Sequence, residues 1–399
     1  VTSSNLRKMF ASISRSDGQT RVFENLKHHL ERSLLDSTRF PASKLTNSVL
    51  RSRHTYRRLS VSRPEEWRRS IPKGTIVLVL QHSPSGEDVY AAMIPWGNMK
   101  CVVRKHRWTP MDRRQLEAMS VSNNQKMLKM FDLRLKRDLM RSSDDDYADG
   151  HAVSSMMTTN ALLLQVIPWK QFPEGTQNVL ICADMKLSAL PLESLGRLKD
   201  FKVHRDFSLA MFDTRSRDEN SNIVSSMSYV SDPFHEEDEE KTVTIPQSWK
   251  SLSTKPNQIA SEIEVRRGLC SSNGFLFHSL GRVYDFLNIS ELADTDLRSC
   301  KAVILVDGAE NETSLRRGER SKSKYMTSYE IAALFSVLGA NTVLLNQWPA
   351  RVSENKDFLK RVCNAKTASK LLQSGVGFSP NCRIRNNVSL YGLASMKFN

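Results

Sequence analysis

Two short apolar runs in the C-terminal third of the chain constrain its fold more than any other feature. Residues 275–278 read Phe-Leu-Phe-His and residues 302–306 read Ala-Val-Ile-Leu-Val, and polar and glycine residues follow both. Such runs are typical of buried strands in a parallel sheet. Ligands and catalytic groups of open α/β sheets gather beyond the C-terminal strand ends. His278 ends the first run. Asp307 and Gly308 follow the second run, where no Ser, Cys or Thr is present to act as a nucleophile.

The charge of the chain is positive and unevenly distributed. The 399 residues carry a net charge of +15, and residues 1–70 alone hold 15 Lys/Arg against 6 Asp/Glu. A basic arm of this kind can bind nucleic acid, anionic lipid or an acidic protein surface. The arm has no aromatic platforms and no zinc or helix-turn-helix signature, which argues against nucleic acid.

The cysteine pattern and the hydropathy pattern both favour an intracellular protein. Six cysteines are scattered without a CxxC pair, which fits neither a disulfide framework nor a zinc ribbon. We find no apolar run of about 18 residues and no secretory leader, so we expect no membrane span. Asp184 and Asp307 follow apolar runs, but no third ligand is in view. We interpret both as solvated loop carboxylates, and we expect neither a metal nor a cofactor.

Three parts follow one another along the chain. We predict a basic helical arm over residues 1–72, an antiparallel meander with helices over 73–175, and an α/β core over 176–399. Apolar runs in the core predict one mostly parallel sheet, formed by 178–183, 223–230, 275–278, 302–306 and 342–345. Helices are expected to pack on this sheet at 258–269 and 328–338. Charged segments without apolar anchors predict exposed loops at 142–150, 213–221, 235–242 and 309–324.

Several segments, taken in order, resemble a CHAT domain, a relative of the caspase-like clan CD peptidases that include separase. The segment 179–195 is similar to the family's strand followed by a Leu-Pro-x-Glu-x-Leu motif, and 207–210 lies where the family has a short strand. The segment 325–349 is similar to its helix, Gly-Ala, strand and Trp-Pro signature, and 387–392 to its final edge strand. The resemblance implies an α/β fold with a caspase-like, mostly parallel sheet flanked by helices, beside an N-terminal antiparallel meander and a helical arm.

The resemblance also locates the positions of a catalytic pair. An active member has a histidine followed by glycine after one strand and a nucleophilic cysteine after the next. Aligning Gly281 with the family glycine puts Leu280 at the histidine position. His278 is two residues upstream, about 6.6 Å away along a strand. Aligning Leu305-Val306-Asp307-Gly308 with the family's Leu-Ser-Ala-Cys segment puts Gly308 at the cysteine position. His278, Leu280 and Gly308 therefore mark a degenerate pair, and no catalytic residue is assigned.

Another cysteine could in principle replace the missing nucleophile. Cys300 precedes its strand and is expected at the opposite end of the sheet from His278, Cys270 ends a helix, and Cys182 lies within a strand. An active, separase-like cysteine endopeptidase with a rearranged pair remains an alternative, and it requires a thiol within hydrogen-bonding distance of His278. Nucleic-acid binding through the basic arm is a second alternative, and it requires a steep salt dependence.

The function predicted from these features is a catalytically inactive, CHAT-like docking or scaffold module. We expect its partners to be other proteins of a larger assembly, without a membrane or a small-molecule substrate. By analogy alone, such a module suits a large helical-repeat protein of the cytoplasm, including cytoskeletal and ciliary proteins.

Overall fold

The computed structural model describes residues 71–114, 162–216, 223–233, 243–252, 261–308, 328–347, 352–370 and 388–398, with short gaps inside these ranges. Within this part of the chain, residues up to Asp213 belong to one compact unit and residues from Thr214 onward to another. Most of the predicted arm 1–72 lies outside the described residues. So do the predicted loops 142–150, 235–242 and 309–324.

The first unit contains an antiparallel meander joined to parallel strands. Its strands are β1 (Thr75–His82), β2 (Asp88–Pro95), β3 (Val102–Arg107), β4 (Asn178–Ala183) and β5 (Lys202–Arg205), in the order β3-β2-β1-β4-β5. The pairs β1/β2 and β2/β3 are antiparallel, whereas β1/β4 and β4/β5 are parallel. The predicted meander is therefore confirmed. Along the chain, α1 (Met185–Ser188) follows β4, and α2 (Leu209–Ser216) follows β5 and ends in the second unit.

The second unit is built on a mostly parallel sheet. Its elements are β6 (Ile223–Val224), β7 (Met227–Ser231), β8 (Lys250–Ser251), α3 (Glu262–Ser271), β9 (Gly274–His278), α4 (Val283–Phe286), β10 (Ala302–Val306), α5 (Ser328–Leu338), β11 (Thr342–Asn346), α6 (Val352–Asn364), β12 (Val388–Gly392) and β13 (Lys397–Phe398). The sheet runs β12-β11-β10-β9-β7-β8, and only β11/β12 is antiparallel. The two apolar runs that opened the sequence analysis are thus adjacent parallel strands, as predicted.

The core of the second unit forms because its central strands are buried on both faces. Every residue of β9, β10 and β11 is buried, as expected for strands covered on both sides. α5 and α6 belong to the same unit, and α6 contributes Phe358, Leu359 and Val362 to the core. No described helix is both long and apolar enough to cross a membrane.

The observed boundaries of two helices agree with the predicted boundaries to different degrees. α5 spans Ser328–Leu338 as predicted, and Gly339 follows it with φ +121°, a conformation that favours glycine. α3 begins four residues later than predicted, at Glu262. Ser261 caps it, because its side chain accepts from the Glu264 backbone while the Glu264 side chain accepts from the Ser261 backbone.

Three other predictions were wrong in detail. The predicted strand 223–230 is divided, because β6 pairs with β13 in a small separate sheet and β7 belongs to the main sheet. The predicted loop 213–221 begins inside α2, where Asp213 and Arg215 are buried. The segment 207–210 is not a strand, since the Ser208 hydroxyl accepts from the Met211 backbone at 3.1 Å and favours the start of α2.

Candidate functional site at the strand ends

His278 is the last residue of β9 and is held in a buried, uncharged form. It pairs with Val306 of β10 on one side and Ser231 of β7 on the other. Its Nδ1 lies 3.0 Å from the Ser231 hydroxyl, and only 2% of the residue is exposed. Burial lowers the pKa of His278 to about 4, which the charge of Asp232 opposes and that of Lys356 reinforces. The ring is therefore neutral at pH 7 and is a weak base.

The position that the family resemblance assigns to a catalytic histidine holds an apolar side chain. Leu280 is 3% exposed and belongs to the core. The backbone around it joins the two strand ends, because Ser279 N donates to Val306 O at 3.2 Å and Gly308 N donates to Gly281 O at 3.3 Å. The loop after β9 therefore serves to lock the ends of β9 and β10 together.

Gly308 has no room for a side chain unless Arg282 moves. Its φ is +73°, a left-handed conformation that costs other residues energy. A β-carbon built on Gly308 would stand 2.5 Å from Cζ and Nε of Arg282. The guanidinium of Arg282 thus fills the space into which a nucleophilic side chain at this position would point.

Asp307 holds Arg282 in that place. Its Oδ1 accepts from Nη1 of Arg282 at 3.0 Å, and its Oδ2 accepts from the backbone N–H of Val283 at 2.8 Å. The same Nη1 lies 3.4 Å from the carbonyl oxygen of Asn346. Asp307 is 2% exposed. Our interpretation of Asp307 as a solvated loop carboxylate was therefore wrong, because its charge is compensated inside the protein.

Two asparagines that the sequence analysis missed complete this polar network. Asn346 Nδ2 donates to Asp307 O at 3.1 Å and to Asn355 Oδ1 at 2.7 Å, and Asn355 Nδ2 donates to Asp307 O at 3.3 Å. A signal for Asn355 was present in the sequence. It precedes the apolar Phe358, Leu359 and Val362 at helical spacing, which places an amide on the buried face of α6.

Asp184, in the first unit, was also wrongly interpreted as solvated. It is 1% exposed, and its Oδ2 lies 2.7 Å from both the backbone N and the ring Nδ1 of His82. Its Oδ1 accepts from Leu187 N at 3.1 Å. Burial raises the pKa of Asp184, but the hydrogen bonds and the charge of His82 outweigh it, so the pKa lies below its usual value. The carboxylate fastens the ends of β1 and β4.

Four of the described cysteines are poorly suited to nucleophilic catalysis. Cys300 precedes β10 and so lies at the end of the sheet opposite His278, as predicted, and Cys182 is buried in β4, also as predicted. Burial raises the pKa of Cys300 to about 12 and that of Cys363 to about 11, and it raises the pKa of Cys182 and Cys270 as well. A raised pKa disfavours the thiolate, the reactive form.

A metal-binding group is also absent from the described part of the chain. No cluster of three or more His, Cys, Asp or Glu side chains is placed to hold a metal ion among these residues. His278 and Asp307 are engaged by Ser231 and by Arg282 and Val283, respectively. The arrangement at the strand ends is therefore suited to holding loops together.

Comparison with known proteins gives matches at the level of structure. No family model matches this sequence, and no curated protein sequence does. A solved structure of the Saccharomyces cerevisiae separase–securin complex matches with a TM-score of 0.57 and 12% identity, covering 97% of this chain and 35% of that chain. A second structure of the same complex gives a TM-score of 0.52 and 10% identity, covering 96% and 34%. This chain thus spans about a third of the length of the chains it matches. The likeness shows the fold, and it confirms the predicted class: the chain has the caspase-like α/β architecture of the separase structures.

Proposed function

We propose that this chain is a catalytically inactive, separase-like module that uses its caspase-like fold as a rigid surface for protein docking. The observation that carries the proposal is the side chain of Arg282 lying over Gly308. Glycine offers no atom that could form an acyl-enzyme. The space beside it is filled by a cation whose charge Asp307 compensates.

The surroundings of the strand ends support inactivity in a second way. Leu280 takes the position of the family histidine, and His278 is neutral and engaged with Ser231. The endopeptidase alternative requires a reactive thiol near His278. Cys300 lies at the other end of β10, and burial raises its pKa. Neither feature favours that alternative.

The polar network at the strand ends supports a docking role, because it holds the loops there in place. The loops after β9, β10 and β11 are fixed by hydrogen bonds of Asp307, Asn346 and Asn355. A buried and satisfied network of this kind makes a surface rigid. The structures that match this chain are of separase in complex with securin, and we propose a protein partner for this chain as well.

Two finer parts of the proposal rest on the CHAT resemblance alone. They are a place within a larger assembly and a cytoskeletal or ciliary setting. Nucleic-acid binding through the arm 1–72 is an alternative, which the excess of Lys and Arg in residues 1–70 supports.

A cleavage assay tests the proposal. The purified chain is incubated with a mixed peptide library, and new peptide termini are identified by mass spectrometry, with an active cysteine peptidase as the positive control. We expect no termini above the level seen with heat-denatured chain. Termini that disappear when one native cysteine is replaced by alanine would make the chain an endopeptidase and end the proposal.

A further inference from the structure

The outer edge of β3 pairs with no other described strand. β3 is the last strand in the order β3-β2-β1-β4-β5, and within the described residues β2 is its only neighbour. An open edge presents unpaired N–H and C=O groups to which another strand can bind. β3 has six residues, which is a full strand length, whereas the edge strand β8 has two.

The hydrogen-bond register shows which residues of β3 face that edge. Trp108 N donates to Glu87 O at 2.8 Å, which marks Glu87 and Trp108 as a hydrogen-bonded antiparallel pair. Such pairs alternate along antiparallel strands. The register Val89↔His106, Ala91↔Arg104 and Met93↔Val102 then gives the next hydrogen-bonded pairs. The backbone groups of Val103, Lys105 and Arg107 therefore point outward.

The side chains of these same three residues are exposed. Val103 is 65% exposed, and the side chains of Lys105 and Arg107 are 57% and 77% exposed. Tyr90, opposite Lys105 on β2, is 37% exposed and lies 5.9 Å below the Lys105 ammonium. The edge thus combines an apolar residue, an aromatic ring and two cations on one face.

The charge of the strand indicates what it would accept. β3 reads Val-Val-Arg-Lys-His-Arg and contains no acidic residue. Lys105 Nζ lies 3.0 Å from Asp88 Oδ2, and Arg107 Nη2 lies 3.4 Å from Glu87 Oε2. Both members of the Arg107–Glu87 pair are exposed, and a pair of this kind contributes little and can be exchanged. Opposite charges on adjacent strands stabilise their pairing.

We propose that the outer edge of β3 binds an extended, acidic segment of a partner protein by strand addition. The inference rests on the proposed docking function and names its surface and the chemistry of its partner. The backbone groups of Val103, Lys105 and Arg107 supply the hydrogen bonds, and acidic side chains of the partner lie beside Lys105 and Arg107. The same cations would also protect a bare edge from aggregation, so the test must separate the two roles.

Amide hydrogen exchange of the full chain, read by NMR, makes that separation. The probe is a capped peptide of alternating Glu and Val, about six residues long, the usual length of a strand. We expect it to slow the exchange of the N–H groups of Val103, Lys105 and Arg107. The N–H groups of Arg104 and His106 already bond to β2 and should not change. A Lys/Val peptide and a Glu/Pro peptide of equal length should have no effect.

Variants of the edge test the strand geometry. Val103→Pro removes an outward N–H while leaving the β2 ladder intact, a position where a strand tolerates proline. We expect it to weaken peptide binding at least about tenfold, a loss of about 1.4 kcal/mol. Val103→Thr keeps the N–H and the branched shape and should bind normally. Lys105→Glu should weaken binding, whereas Lys370→Glu, in the second unit, should not.

Other results of these experiments would overturn the proposed strand addition or the proposed function. Equal binding by Val103→Pro would mean a charge contact alone and would overturn the proposal. Slow exchange of the outward N–H groups before peptide is added would mean that the edge is already covered, for instance by the chain's own Asp-rich segment 144–149. That result would overturn the proposal too. An absence of binding without cleavage overturns this inference alone, whereas cleavage of the probe contradicts the proposed function.

Discussion

The guanidinium of Arg282 lies 2.5 Å from the point where a β-carbon on Gly308 would stand. Arg282 follows β9 and Gly308 follows the adjacent strand β10, and the side chain of the first fills the space left by the second. Where it binds Asp307 and the Asn346 carbonyl, Arg282 occupies the space that a side chain at residue 308 would need. The position that the family resemblance assigns to a nucleophile is therefore used for packing.

Gly308→Ala should destabilise the protein for two reasons, the left-handed backbone and the collision with Arg282. Backbone strain of this kind costs on the order of 1–3 kcal/mol. Gly175→Ala is the matched control, because its φ is +78° and nothing lies within 4 Å of the added carbon. Urea denaturation should show a larger loss for Gly308→Ala, and Arg282→Ala in the same chain should reduce the difference. Equal losses at the two glycines would contradict the packing role.

Asp307→Ala should cost about 3–5 kcal/mol, because it leaves the half-buried cation of Arg282 without its counter-charge. Asp307→Asn should cost less, since an amide oxygen can still accept from Val283 N. The control is Asp296→Ala, which breaks an exposed pair with Arg298 and should cost less than about 1 kcal/mol. If Asp307→Ala proved as mild as this control in thermal unfolding, the network would not hold the strand ends.

Protonation of His278 should destabilise the protein at low pH. Its pKa falls from 6.5 to about 4 on folding, so the unfolded chain binds the proton more readily in this interval. The stabilisation is complete above pH 6.5 and is lost as the pH falls towards 4. The loss is on the order of 3 kcal/mol. NMR titration should give a midpoint near pH 4, and a midpoint near 6.5 would exclude a buried ring.

Two variants connect that titration with stability. His278→Asn should flatten the pH dependence of the unfolding free energy between pH 6.5 and 4. His204→Asn, the second variant, should flatten a separate part of this dependence. His204 in the first unit should contribute a similar slope of its own, because burial lowers its pKa to about 4 as well.

Arg205→Met should strongly destabilise the first unit. The Arg205 side chain is 1% exposed, pairs with Glu193, and donates to the carbonyls of Ser188 and Leu190 at 2.5 and 2.8 Å. Removing it leaves a buried carboxylate, which costs about 3–5 kcal/mol. Adding Glu193→Leu should restore part of the loss, as measured by denaturant unfolding. A double variant less stable than Arg205→Met would mean that Glu193 does not need its partner.

The sequence predicted the sheet well because the signal is local. The runs 275–278 and 302–306 are continuously apolar, and such runs form strands buried on both faces whatever their distant partners are. The end of α5 was predictable for the same reason, since Gly339 provides its own left-handed conformation.

The errors arose where the partner of a residue is remote in sequence. Asp184 is buried because His82, 102 residues away, meets it with two hydrogen bonds. Asp307 depends on Arg282, 25 residues upstream. No local pattern distinguishes a solvated strand-end carboxylate from one that is paired. The interruption of the predicted strand 223–230 depends on β13 in the same way, because β6 pairs with that C-terminal strand.

Labelling of thiols in the native chain tests the central claim of inactivity most directly. A peptide probe that carries a thiol-reactive group is added, and the labelling rate of each cysteine is read by mass spectrometry. Burial raises the pKa of Cys182, Cys270, Cys300 and Cys363, so we predict that none of these four reacts faster than a free thiol in solution. One cysteine that reacts much faster, and slows when His278→Asn is introduced, would identify a working pair and contradict the account.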